Sequence, residues 1–173
     1  NWDVSLFKSF GLGGRKRLQL RFGVFNLFNQ AAPVYSMGDI DLVLRRSTDG
    51  GRTWSPLQVV WDSGANTSGN PAPVVERRSG RILLLSTFNL GTDREPDIID
   101  GKSATTRRVY VQSSTDDGAT WSAAREITTQ VKKPDWTWYA TGPVNGIQIE
   151  AGPHKGRLVV PCDHIEAGTK KYF

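Results

Sequence analysis

The run Ser47-Thr48-Asp49-Gly50-Gly51-Arg52-Thr53-Trp54 returns sixty-seven positions later as Ser114-Thr115-Asp116-Asp117-Gly118-Ala119-Thr120-Trp121. Both copies read S-T-D-x-G-x-T-W and both follow a strand-like run, Leu42-Val43-Leu44 and Val109-Tyr110-Val111. A repeat of this kind bears on the whole architecture. Ser47 and Ser114, with Asp49 and Asp116, can fold their side-chain oxygens back onto nearby backbone N–H groups and so build a turn. Gly51 and Gly118 supply the positive φ that such a turn needs. Thr53-Trp54 and Thr120-Trp121 then restart a strand, with the indole free to enter a core. The pattern predicts a structural strand–turn–strand clasp with no direct part in chemistry.

Working outward, the rest of the 173 residues suits many short strands. Glycine (18), proline (9) and tryptophan (6) are plentiful, and no convincing amphipathic helix is visible. Strands are expected at Gln58–Trp61, Arg81–Phe88, Arg107–Ser113 and Ala124–Thr129, with an aromatic segment from Trp136 to Tyr139. A hairpin is expected from Gly146–Ile149 and Arg157–Val160, whereas residues 66–73 read as a polar loop and residues 89–106 as a long polar connection. Short strands with a repeated clasp predict radial sheets, a β-propeller, and the 140 residues after position 33 suffice for two to three blades.

Residues 1–33 differ in texture. They carry Lys8, Arg15, Lys16, Arg17 and Arg21 against Asp3, and so hold +4 of the net charge of +5. The main body therefore has no basic excess that would point to nucleic acid. Arg17–Phe25 alternates as a half-buried strand, preceded by a turn at residues 11–16 and a first strand from Val4 to Phe10. No run of eighteen apolar residues and no N-terminal secretory-type stretch is present. Cys162 is alone, within an apolar run, and reads as a buried thiol. His154, His164 and one cysteine at these spacings do not make a zinc site, so neither metal nor cofactor is expected.

Two resemblances follow from these segments. Asn1–Phe10, Leu18–Phe22 and Phe25–Gln30 resemble the last barrel strands of TonB-dependent outer-membrane receptors; a membrane role attaches to this segment alone. The S-x-D-x-G-x-T-W repeat is the Asp-box. With Gly38–Ser47, Gly69–Val75, Lys133–Pro143 and Val160–His164 it resembles bacterial sialidases, exo-α-neuraminidases, from about Gly38 to the end. That resemblance implies a six-bladed propeller whose funnel takes a terminal sialic acid of a glycoconjugate, and a secreted or periplasmic setting. It implies hydrolysis with retention by a tyrosine–glutamate nucleophile, an aspartate as acid/base and three arginines on the sugar carboxylate. The aspartate position falls on Ser36, which cannot donate a proton at a useful pKa, and no position matches the first arginine. The nucleophile, its glutamate and the other arginines belong to later blades, so the chain is expected to be incomplete and inactive.

Glu95 and Tyr139 match positions near the sugar pocket; a solvated loop carboxylate and a core aromatic are the alternatives. Asp39 and Asp41 are expected to cap a turn or pair with arginine. The fold expectation is thus all-β: a partial propeller over residues 34–173, preceded by an extraneous hairpin-like segment at 1–33, joined near residues 33–38 as a chimera. Competing readings are a non-catalytic carbohydrate-binding propeller and an outer-membrane receptor fragment.

Overall fold

A computed structural model describes the backbone of residues 4–13 and 16–24, and residues 39–173 in full. Two four-stranded antiparallel sheets dominate. The first joins β1 (Val4–Gly13), β2 (Lys16–Val24), β3 (Leu42–Ser47) and β4 (Gln58–Trp61) in sequence order. The second joins β5 (Thr67–Val75), β6 (Ile82–Asn89), β7 (Arg108–Ser114) and β8 (Arg125–Glu126) in the same way. A third unit follows: β9 (Trp136–Thr141) pairs with β12 (Cys162–Glu166), and β10 (Ile147–Gln148) with β11 (Leu158–Val159). The hairpin read from sequence as extraneous supplies two strands of the first sheet, with Arg17 opposite Ser47 and Leu20 opposite Leu44.

β6 explains how the sheets pack. Its run Ile82-Leu83-Leu84-Leu85 is apolar on both faces, the mark of a sheet covered on both sides. Ile82 and Leu84 face the first sheet, where Leu42, Leu44, Val60 and Trp61 meet them. Leu85 faces the third unit through Val109, Ile127, Tyr139 and Trp136. A third cluster joins Ile98, Trp138, Ala140 and Ile165.

Both Asp-box turns form as read. Ser47 Oγ accepts from the Gly51 N–H at 2.8 Å, and Asp49 accepts from the N–H and hydroxyl of Thr53 at 3.0 and 2.6 Å. The second copy repeats this, with Gly118 N–H on Ser114 Oγ at 2.9 Å and Thr120 Oγ1 on Asp116 at 2.6 Å. Gly51 and Gly118 have φ of 91° and 78°. The two tryptophans differ. Trp54 donates to Gly51 O at 3.2 Å, whereas Trp121 packs against the cluster between the two sheets. Gln58 Nε2 also donates to Ala119 O at 2.9 Å, tying β4 to the second turn. The repeats thus help dock one sheet on the next.

Four readings need correction. Residues 66–73 fall largely within strand β5. Its glycine, asparagine and proline form an irregularity between Gly69 and Ala72, with Asn70 at φ 52°. Pro71 is tolerated because β5 is an edge strand of its sheet. Two short helices exist, α1 (Glu95–Ile99) in the long connection and α2 (Thr128–Val131). The expected strand at Ala124–Thr129 shrinks to the two residues of β8, after which Thr128 begins α2. Cys162 is exposed. It opens β12 opposite Thr141, and alternation turns it away from the core that Ile165 enters.

Two expectations follow for stability. Gly146 lies so close to its neighbours that an added Cβ would meet Val159 O at 2.7 Å and Val74 Cβ at 2.8 Å. Gly146→Ala should therefore lower the unfolding free energy by about 1–3 kcal/mol, as overpacking does, measured by urea titration. The hydrogen bonds from Thr120 hold the Asp116 carboxyl down at about 2, against an ordinary 3.8. A depressed carboxylate pKa adds stability that is present above the ordinary value and lost as pH falls through the folded one. The melting-temperature gap between wild type and Asp116→Asn should then be full at pH 6 and close between pH 4 and pH 2.

Candidate functional site

The ends of β5–β7 divide the molecule. Ser114 pairs with Ile82, so the second Asp-box lies where β5 turns into β6. The opposite end carries the 89–107 connection and the first residues of β5. A seven-residue strand separates the two ends by about 20 Å. A groove at the Asp-box end is lined by Glu76, Arg77, Gln148 and Glu150. Its groups serve one another: Arg77 pairs with Glu150 at 2.7 Å and its N–H bonds Gln148 Oε1 at 2.9 Å.

The other end holds a denser polar cluster, centred on Arg107. This residue is 2% exposed and immediately precedes β7. Its Nη1 donates to Asn89 Oδ1 at 2.6 Å, and its Nη2 donates to Thr87 Oγ1 at 2.9 Å and to Asn70 Oδ1. The guanidinium also lies 4.3 Å from the centroid of the Trp138 ring, a cation–π contact. Burial lowers its pKa to about 10, and the fields of Glu95 and Asp163 oppose that shift. It is cationic at neutral pH with no carboxylate in contact among the described residues.

A second cation stands behind it. Lys132, 8% exposed, directs Nζ to Thr106 Oγ1 and to Arg107 O at 3.1 Å. Burial, helped by the Arg107 charge, lowers its pKa to about 8.

The acidic side of the cluster comes from the 89–107 connection and from β12. Asp93 is buried and pins the connection back on itself, accepting from the N–H groups of Ala104 and Thr105 at 3.1 Å and the Thr105 hydroxyl at 2.8 Å. This places Glu95 at the first position of α1, next to Pro96, where a carboxylate suits the helix N-terminus. Glu95 Oε1 accepts from the Tyr172 hydroxyl at 2.9 Å. Burial and the Glu95 charge push the Tyr172 phenol up to about 12. Asp163, opposite Ala140 in the β9–β12 pair, has a buried Oδ1 with no partner among the described residues. Burial raises its pKa, and the Arg107 field pulls it back.

The residues expected from sequence fall in different places. Glu95 belongs to the cluster. Tyr139 is 7% exposed, stacks on Trp136 at 5.9 Å and packs with Val109 and Ile127; burial, then a hydrogen bond with Cys162, raises its pKa. Ser36 lies outside the described residues. Among the described residues Asp41 has no arginine partner: it takes a backbone hydrogen bond from Ser63, and burial with Asp62 nearby raises its pKa. Arg107, Lys132, Asp163 and Tyr172 were not singled out from sequence. The one available signal was a pair of arginines opening a strand directly after a long polar connection.

Comparison with known proteins agrees on one family. The BNR repeat-like domain matches residues 30–173. The chain is 38% identical to an exo-alpha-sialidase of Aspergillus fumigatus over 141 residues, covering 72% of this chain and 34% of that protein. It is 32% identical to a sialidase of Bacteroides fragilis, covering 74% and 25%. Among solved structures, the Hadza microbial sialidase Hz136 superposes with a TM-score of 0.72 at 24% identity, covering 92% of this chain and 32% of that one. The intramolecular trans-sialidase of Ruminococcus gnavus, in complex with oseltamivir carboxylate, gives 0.72 at 15% identity, covering 100% and 60%. The chain thus spans about a third or less of the curated relatives' length. The receptor likeness of residues 1–33 gains no support from these matches.

Lys132 gives a direct test of cluster electrostatics. A lysine whose folded pKa lies below its unfolded one favours unfolding while protonated, so stability should rise as pH climbs from 8 toward 10. Thermal melts should show that rise in the wild type, and Lys132→Met should remove it.

Proposed function

Because this chain belongs to the sialidase family of BNR-repeat proteins, with the match running from residue 30 to residue 173, we propose that the protein is an exo-α-sialidase. Its substrates are glycoconjugates that end in sialic acid, and residues 34–173 contribute two to three blades of a six-bladed ring. The observation that carries the reading is the polar cluster around Arg107, set at the end of the sheets opposite the Asp-boxes within a chain of that family. It presents the hydrogen-bonding variety that a polyhydroxylated, acylated acid sugar requires: a carboxylate on Glu95, a phenol on Tyr172, a carboxyl on Asp163 and a carboxamide on Asn70.

The same cluster bears on what these residues do. Tyr172 and Glu95 are a tyrosine and a glutamate in contact, the chemical type implied for the family's nucleophile. Here the phenol is pushed up to about 12, the direction opposite to activation. The pair is a hydrogen-bonding edge for hydroxyls. In this reading Glu95 binds substrate and Tyr139 stands behind the wall, and the chain alone is expected to bind sialosides without turning them over.

Trp138 supplies the readout. N-acetylneuraminic acid should change tryptophan fluorescence saturably in the millimolar range, Glu95→Ala should weaken the effect several-fold, and galactose should give none. A response to galactose equal to that to N-acetylneuraminic acid, or no saturable response, would sink the reading. Release of fluorophore from a fluorogenic sialoside by the chain alone would show that the reacting groups are present after all.

A further inference from the structure

The groove at the Asp-box end is built from two turns that are tied together. One joins β5 to β6, where the Glu76 carboxylate accepts from the N–H groups of Arg78 and Ser79 at 2.8 and 2.9 Å and from the Ser79 hydroxyl. The other joins β10 to β11, where Ile149 N–H donates to Arg157 O at 2.9 Å and Gly156 N–H to Ile149 O at 2.8 Å. Gln148 spans the two, accepting from Arg77 N–H at 2.9 Å and donating to Gly156 O at 2.9 Å. The Arg77–Glu150 pair links the same two turns. The groove between them holds about 670 Å³.

Charge is unevenly placed there. Arg77, Arg78, Arg81, Lys155 and Arg157 stand on these turns against Glu76 and Glu150, five cations less two carboxylates, or +3. Residues 34–173 together carry +1, so the rest of that body is −2. Both carboxylates are engaged, Glu76 by its own turn and Glu150 by Arg77. Arg78 and Lys155 line the groove from different turns and have no partner among the described residues. Their mutual repulsion is unrelieved, and an anion between them would relieve it. The side chains of Arg77 and Glu150 are each 66% exposed, and an exposed pair of this kind yields readily to a competing anion.

The lining narrows what fits. Ile149 is its one apolar side chain and no aromatic ring lines it, so a nucleic-acid base has nothing to stack on and an amphipathic peptide little to bury against. Glu150 stands among the cations as an acceptor. It repels an acidic peptide, but suits a chain that carries hydroxyl donors beside its anions. We propose that this groove is a second, non-catalytic binding site for an acidic polysaccharide, whose sulfate or carboxylate groups sit on Arg78 and Lys155 while a sugar hydroxyl donates to Glu150. It lies at the far end of the strands from the Arg107 cluster, so both sites can be filled at once. The groove rests on its two turns alone and stands apart from the sialoside reading.

The test uses the full ¹⁵N-labelled chain and a chondroitin sulfate hexasaccharide. Saturable binding should shift the Arg78, Gln148, Lys155 and Gly156 amides and should weaken several-fold as salt is raised. No shift at these amides would sink the proposal. Arg78→Ser combined with Lys155→Ser should fold, melt as wild type does and bind about ten-fold more weakly. Undiminished binding by that variant would overturn the site. Arg52→Ser combined with Arg125→Ser removes the same charge from exposed positions outside the groove and should leave affinity unchanged. An equal loss would mean that net charge, and not the groove, holds the probe, and the proposal would fall. Glu95→Ala should leave binding as it is; a loss there would place the probe in the Arg107 cluster instead. A single-stranded oligonucleotide or polyglutamate of equal charge that binds as tightly would overturn the polysaccharide as occupant.

Discussion

A guanidinium taken out of water, with no carboxylate in contact among the described residues, must find oxygens elsewhere, and Arg107 collects them from separate strands. Asn70 belongs to β5, Thr87 and Asn89 to β6, and the Trp138 face to β9. An unsatisfied buried charge is among the costliest defects a fold can carry. This one therefore constrains where the strands lie relative to one another. The edge strand β5 can keep its irregular, proline-containing course because its asparagine is anchored from behind and its carbonyl from Thr141. The connection of residues 89–107 is pinned separately, by Asp93. The cluster is thus a point of assembly for the strands.

Charge in the cluster is arranged in depth. Arg107 and Lys132 are buried, while Glu95 and Asp163 are partly accessible and lower the cost of the Arg107 charge from a distance. Direct ion pairs would have consumed the carboxylates. Left apart, Glu95 and Asp163 balance the Arg107 charge through its field and not through contact. The exposed pairs Lys170–Asp100 at 2.7 Å and Lys102–Asp100 at 3.0 Å tether the last residues to the α1 turn without drawing on that balance.

What the sequence disclosed and what it hid follow the range of the interactions. The Asp-boxes were readable because each closes on itself: Ser47, Asp49, Gly51 and Thr53 bond within four residues. β4, β6 and β7 were readable because their apolar runs fit a covered sheet. β5 was not, since Gly69, Asn70 and Pro71 are turn residues by propensity and become strand only through β6 and Thr141. Arg107 was hidden for a similar reason. Its partners lie 18, 20 and 37 positions away, and none of those separations repeats. Glu95 could be located by its resemblance to relatives, but its contact with Tyr172 spans 77 positions. The change of texture at residue 33 was real in composition; pairing of β2 with β3 is a property of backbone groups, which composition does not report.

The Asp-box turns and the Arg107 cluster sit at opposite ends of the same strand, β7. Ser114 closes one end with bonds internal to its turn, while Arg107, just before the other, depends on distant partners. One terminus is shaped by its own turn and only touches the first sheet, through Gln58 and Trp121, whereas the other is wired into several strands. Such a strand behaves like a fixed post with an adjustable head. Changes in the 89–107 connection thus bear on the head without loosening the post.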